Sequence, residues 1–203
     1  ERTHLPFRDW CKHCVFGRAK GDTHFRDQVD SSKPRISWDY MYMHEKHTAS
    51  QRPAIVDGEG LPIVVMKVNR PPAGCGGIIA FAVPQKGDCE YAITKAAQVV
   101  TRILGYKEMV FKSDQEPSIK KMLDKVAMLA GDRVVREESP VGESQSNGDV
   151  ENAVQRVQGM YKTMRSDLES MHGKKIPADH PVLAWMVLHA SLNLFRFEKG
   201  QDG

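Results

Sequence analysis

The chain changes its hydrophobic period once, near residue 88, and that change limits the folds open to it. Before it, apolar residues alternate or run unbroken over strand lengths; after it they recur every three or four positions, as on helices. Residues 36–43 alternate, with Ile36, Trp38, Tyr40 and Tyr42 on one face. Leu61–Asn69 is an almost unbroken apolar run, as expected of a strand covered on both faces. Ile78–Val83 reads as a third strand. The segment between the first two, His44–Gly60, is polar and interrupted by Pro53, Gly58 and Gly60, so it reads as a loop.

Past the change, Asp88 is placed to cap a helix whose Ile93, Ala96, Ala97, Val100, Ile103 and Leu104 share a face, with Gly105 as its stop. Glu108–Lys112 is strand-like. Pro117 suits a first helical turn, followed by Ile119, Met122, Leu123, Val126 and Leu129 on one face and Gly131 after it. Arg133–Glu138 forms a fifth short strand, and Ser139–Gly148 a Gly/Ser/Pro loop. Two more helices are expected, from Asp149 to Met171 and from Pro181 to Phe195. The order βββαβαβαα predicts an α/β fold, a five-stranded mixed sheet flanked by helices.

A chain of 203 residues can bury a core without disulfide staples. Its longest apolar runs are too short to span a bilayer, so no membrane partner is expected. With 29 basic and 26 acidic residues the net charge is +3, and residues 1–35 carry all of it, with 8 basic and 5 acidic side chains. The rest balances at 21 against 21, so any contact with nucleic acid must be local. Collagen-like, disordered and disulfide-scaffold classes are excluded by this composition. Four cysteines, two of them as Cys11-x-x-Cys14, point to a metal clip in a reducing compartment. A start at Glu1 without Met or an apolar leader suggests a piece of a longer product.

Three carboxylates stand out: Asp39 within the first strand, Asp114 at the end of the fourth, and Glu151 in the first turn of the long helix. An unpaired buried carboxylate is costly, and a divalent cation removes that cost. Three converging acids suit Mg²⁺ or Mn²⁺, hard cations that prefer oxygen, and such ions serve phosphodiester chemistry. On the long helix, Val150, Val154, Val157, Tyr161, Met164 and Leu168 define the buried stripe. The stripe beside it, Glu151, Gln155, Gln158, Lys162 and Arg165, begins with an acid and ends with two cations, which suits a polyanionic strand crossing the site. Taken alone, that stripe reads better as a solvated face opened by a Glu that the helix dipole favours.

Asp39 on a first strand, Ser113-Asp114 after a fourth, and Ser146-Asn147-Gly148-x-x-Glu151 opening a helix resemble the acidic triad of retrovirus and retrotransposon integrases. Thirty-six residues separate Asp114 from Glu151, close to that family's spacing, and the element order resembles its ribonuclease H-like core. The resemblance implies that Asp39, Asp114 and Glu151 are the catalytic, metal-binding acids of a DNA integrase joining element DNA 3′ ends to target DNA. It implies Mg²⁺ or Mn²⁺ as cofactor, action as a homo-oligomer and, for a eukaryotic element, a nuclear location. Asn147 and Gly148 would belong to a loop beside the site, with Asn147, Gln155, Gln158, Lys162 and Arg165 along the DNA. Cys11-x-x-Cys14 resembles the second half of the family's His-His-Cys-Cys zinc module, with His4, His13 and His24 as the nearby substitutes for its histidines and Zn²⁺ as the implied ion.

Departures from the family pattern are visible. Asp39 and Asp114 are 74 residues apart, longer than usual, and Gln115-Glu116 replaces a common Asn-Gly, making Glu116 a rival to Asp114. Gln155 and Gln158 stand where a cation is common. Another ribonuclease H-like nuclease or transposase, and a catalytically decayed or domesticated nucleic-acid-binding fragment, are the rival readings. The expected division is an arm and linker at 1–35, a catalytic core at 36–172 and a helix and tail at 173–203. Gly74-Cys75-Gly76-Gly77 reads as a turn, Cys75 and Cys89 as buried or incidental thiols, and Trp185, Leu188 and Leu192 as core or subunit interface.

Overall fold

A computed structural model describes residues 4, 6, 8–18, 33–43, 60–70, 75–138, 148–177 and 179–197. Of the expected loops His44–Gly60 and Ser139–Gly148, only Gly60 and Gly148 are among these, and Gly148 opens the long helix instead of ending a loop; His24 and Asn147 lie outside the described residues. Five strands form one sheet: β1 (Arg35–Met43), β2 (Leu61–Arg70), β3 (Cys75–Ala82), β4 (Met109–Ser113) and β5 (Val134–Glu138). Their spatial order is β3-β2-β1-β4-β5. β1 pairs antiparallel with β2, β2 antiparallel with β3, and β4 lies parallel to both β1 and β5. With helices on both faces, this is the ribonuclease H-like arrangement that the element order suggests.

The alternation in β1 sorts its residues between two cores. Ile36, Trp38 and Tyr40 face α2 (Glu90–Gln98) and α3 (Pro117–Ala130), where Phe111 packs edge-on against Trp38 with ring centroids 5.1 Å apart. Met41, with Ile63, Val65, Ile78 and Ala80, faces α4 (Gly148–His172) and α5 (Val182–Phe197). The side-chain period of two puts Asp39 on this second face as well. On α4 the expected stripe is found, with Val150, Val157 and Tyr161 buried and Val154, Met164 and Leu168 packed at its edge.

Several boundaries differ from the sequence reading. The turn expected at residues 74–77 gives way to β3, which starts at Cys75. Gly77 serves there because the Phe195 ring of α5 lies on it: a Cβ would come 2.1 Å from the ring. Asp88 does not cap α2; Cys89 holds that position, and Asp88 pairs instead with Lys125 of α3. Beyond Gln98 the expected helix continues as a π-helical turn, Val99–Leu104, closed by Gly105 N–H donating to the Val100 carbonyl. Trp185 is not core: it is exposed and stacks on His189 of the same helix.

The aperiodic N-terminal segment contains a short helix, α1 (Lys12–Arg18), lying on α4. Gly17 permits this contact, since a Cβ there would come 2.0 Å from Thr163 Oγ1 and 2.5 Å from the Gly159 carbonyl. Among the described residues no helix is long and apolar enough to cross a membrane.

Candidate active site

The strand register brings the first two acids together. β1 and β4 run parallel with Trp38 opposite Ser113, so Asp39 and Asp114 are the next residues along two neighbouring strands. Glu151 stands in the first turn of α4, over the same face of the sheet as Asp39. Asp39 is half-buried and paired in register with Val65, and its Oδ1 accepts the Tyr40 N–H at 2.7 Å. Burial, reinforced by the charges of Asp114, Glu116 and Glu151, pushes its carboxyl up to about 7 against the one opposing hydrogen bond from Tyr40. The four carboxylates therefore share one electrostatic field. Their oxygen donors suit a hard divalent cation, which would relieve the repulsion and the burial cost together.

Glu116 differs from Asp39 and Asp114 in that its carboxylate is held by side chains. Its carboxylate accepts Lys86 Nζ at 2.9 Å and the Ser118 hydroxyl, while its N–H donates to Asp114 Oδ1 at 3.1 Å. Lys86 in turn lies over the rings of Tyr40 and Tyr42. Glu116 thus stands at the N-cap position of α3, anchored by a lysine, and orients Asp114 through its backbone.

Gln155 is exposed on α4, and Gln158 and Lys162 line a cavity of about 860 Å³ between α1, the end of β1 and the second half of α4. Lys12, Lys174 and Lys175 line it too. Arg165 also borders it, but its guanidinium holds a local clamp: Nε donates to Glu169 at 2.9 Å and Nη2 to the Ile176 carbonyl at 2.7 Å.

Sequence reasoning missed Lys67, which sits in the apolar run of β2. The period of two turns it toward α4, where burial and Arg156 lower its pKa while Asp149 opposes them. Asn69, two residues on, donates to Asp149 Oδ2 at 3.0 Å. The visible signal was a single cation inside a nine-residue strand-like stretch.

A second constellation lies on the arm. Among the described residues, His4, Cys11 and Cys14 bring three ligand atoms within 4.8 Å of one another. Asp39, Asp114 and Glu151 form no such tight group and meet through their field. His4 Nδ1 lies 3.7 Å from Cys11 Sγ and 3.6 Å from Cys14 Sγ. Tetrahedral Zn²⁺ with its usual bond lengths separates nitrogen and sulfur ligands by about 3.6 Å, so both distances from His4 suit that ion. The Cys14 and His13 backbone N–H groups favour the Cys11 thiolate and lower its pKa against the cost of burial. His13 turns away from the sulfurs, toward Ser166 and Asp167 of α4.

The catalytic core domain of BIV integrase is similar to this chain. The two are 14% identical, with a TM-score of 0.47 over 85% of this chain and 90% of that one. RNase H1 from the halophilic archaeon Halobacterium salinarum NRC-1 is similar at 10% identity and a TM-score of 0.38, covering 60% of this chain and 93% of its own. No family model and no curated protein matches the sequence.

Proposed function

We propose that the chain is the core of a DNA integrase, a divalent-metal-dependent polynucleotidyl transferase that joins element DNA 3′ ends to target DNA. The supporting observation is the field at Asp39: a carboxylate half-buried in the central strand, beside Asp114 and within reach of the charges of Glu116 and Glu151. Asp39, Asp114 and Glu151 would hold Mg²⁺ or Mn²⁺. Bound there, the ion supplies charge neutralisation at the phosphodiester and activation of the attacking oxygen. The chain's own residues do the positioning. β1 and β4 fix two acids side by side, Glu116 orients Asp114 through its N–H, and α4 carries Glu151 at the head of a flank ending in cations.

DNA would follow that flank past Asn147, Gln155, Gln158 and Lys162, with the Arg165 clamp shaping its far end. The His4, Cys11 and Cys14 group would hold Zn²⁺ in an arm at 1–35, ahead of a core at 36–172 and a final segment at 173–203. Action as a homo-oligomer in the nucleus completes the proposal.

The test is Mn²⁺-dependent joining and cleavage on a branched DNA oligonucleotide that mimics an integration product, with Glu151→Gln as the control. The reading expects joining in the parent and its loss, by 100-fold or more, in a variant that keeps the helix and removes the charge. Hydrolysis without joining would assign the site to a nuclease of the same fold. Silence from a folded parent would leave a nucleic-acid-binding remnant.

A further inference from the structure

Two of the contacts between the arm and α4 meet at one carboxylate. Asp167 Oδ2 lies 3.5 Å from His4 Nε2, and its Oδ1 lies 3.3 Å from His13 Nε2. A carboxylate only accepts, so in their neutral form both imidazoles carry the proton on Nε2 in these pairs. His13 Nδ1 then accepts the Ser166 hydroxyl at 3.0 Å, and the His4 Nδ1 lone pair is left facing the two sulfurs. That is the tautomer a metal needs, and it is fixed by a residue of the core rather than of the arm.

We propose that Asp167 is the outer carboxylate of the His4, Cys11 and Cys14 site, and that through it metal binding in the arm and docking of α1 on α4 stabilise each other. The inference rests on the reading that these three residues hold a metal. Two further observations make it a linkage rather than a single bond. His13, between the two cysteines, reaches the same carboxylate, so the helix bearing Cys14 is held by Asp167 from a second side. Gly17, one helical turn beyond His13, lets the α1 backbone close onto Gly159 and Thr163. The orientation of His4 and the seating of α1 thus share one anchor on α4. The docked helix also brings Lys12 to the cavity beside α4. Loading of the arm would therefore complete one wall of the proposed DNA path.

The experiment uses the full chain with Co²⁺ as probe, read by thiolate-to-cobalt absorption against a competing chelator, and amide hydrogen exchange over residues 12–18. The parent is expected to bind Co²⁺ and to slow exchange in α1 on binding. Asp167→Ala keeps all three ligands, and is expected to weaken Co²⁺ binding 10- to 100-fold and to abolish the slowing. Gly17→Val touches neither a ligand nor Asp167. By linkage it must weaken Co²⁺ binding too, by at least about fivefold. Thermal melting of the core checks that both variants fold. Binding within twofold of the parent in Asp167→Ala, or in Gly17→Val with α1 exchange already fast, overturns the linkage while leaving the metal site standing. Absence of a cobalt–thiolate band in the parent overturns the metal site itself, and the linkage with it.

Discussion

Asp39 is where a single residue has the largest consequence. Its carboxyl is raised from the ordinary value of 3.8 to about 7, so between those pH values the folded chain keeps a proton that the unfolded chain has lost. Folding stability from this group therefore falls as pH rises through that window, and the loss is complete above about 7. At about 1.4 kcal/mol per unit, the ceiling on the loss at pH 8 is about 4 kcal/mol. Urea unfolding in EDTA should show Asp39→Asn level with the parent near pH 4 and more stable than it at pH 8. Adding Mg²⁺ at pH 8 should recover stability in the parent and not in the variant. A parent-to-variant difference that does not change between pH 5 and pH 8 would refute the shift. Asp39 was legible because one acid in an alternating apolar strand violates the rule that buried charges are paired. Lys67 was not, because an aliphatic stem lets a lysine sit in an apolar run without breaking its pattern.

The helix α4 serves three purposes along its length, and only the first two were readable from spacing. Its N-terminal turn presents Glu151, its middle buries Val157 and Tyr161, and its last turns hold the chain beyond it. Glu169 is the post for that last task. It accepts Arg165 Nε, Lys175 Nζ and the Ile176 N–H, and Arg165 reaches the Ile176 carbonyl, so one carboxylate and one guanidinium close the turn after the helix. Burial pushes the Glu169 carboxyl up, but Lys175, the Ile176 N–H and Arg165 outweigh it and hold it below the ordinary value. Its contribution is thus present at neutral pH and lost as pH falls through the carboxylate range. Glu169→Ala should cost about 2–3 kcal/mol at pH 7, measured by urea unfolding, and the deficit should shrink toward pH 3. A deficit that stays constant with pH would show that packing, not charge, holds the turn. The i, i+4 step from Arg165 to Glu169 is legible in sequence. The closure onto Ile176 is not, because it depends on where the chain turns after Gly173. Likewise the Cys-x-x-Cys pair suggested a metal clip and left His4, His13 and His24 as candidates beside it; that His4 rather than His13 meets both sulfurs became readable only once α1 was placed.

On the scale of the molecule, charge balance and charge placement give opposite impressions. Residues 36–203 carry as many acids as bases, which argued that any hold on a polyanion would be confined to one place. Folding gathers basic side chains from segments far apart in sequence: Lys12 from α1, Lys162 from α4, and Lys174 beyond it share one cavity of about 860 Å³. No window of sequence shows this cluster, because it forms only when the arm folds back across more than 140 residues. If DNA runs through it, each of these lysines displaces about one counterion, and the dependence of binding on salt counts them. Replacing Lys12, Lys162 and Lys174 together by Ala should weaken binding of a DNA oligonucleotide and reduce the slope of log K against log salt by about 2–3 in fluorescence anisotropy. Replacing Lys120 and Lys121 of α3, on the opposite face of the sheet, should leave the slope as it was. Equal losses from the two sets would mean that DNA meets a diffuse surface charge, and the cavity would then have no part in guiding a strand toward Asp39.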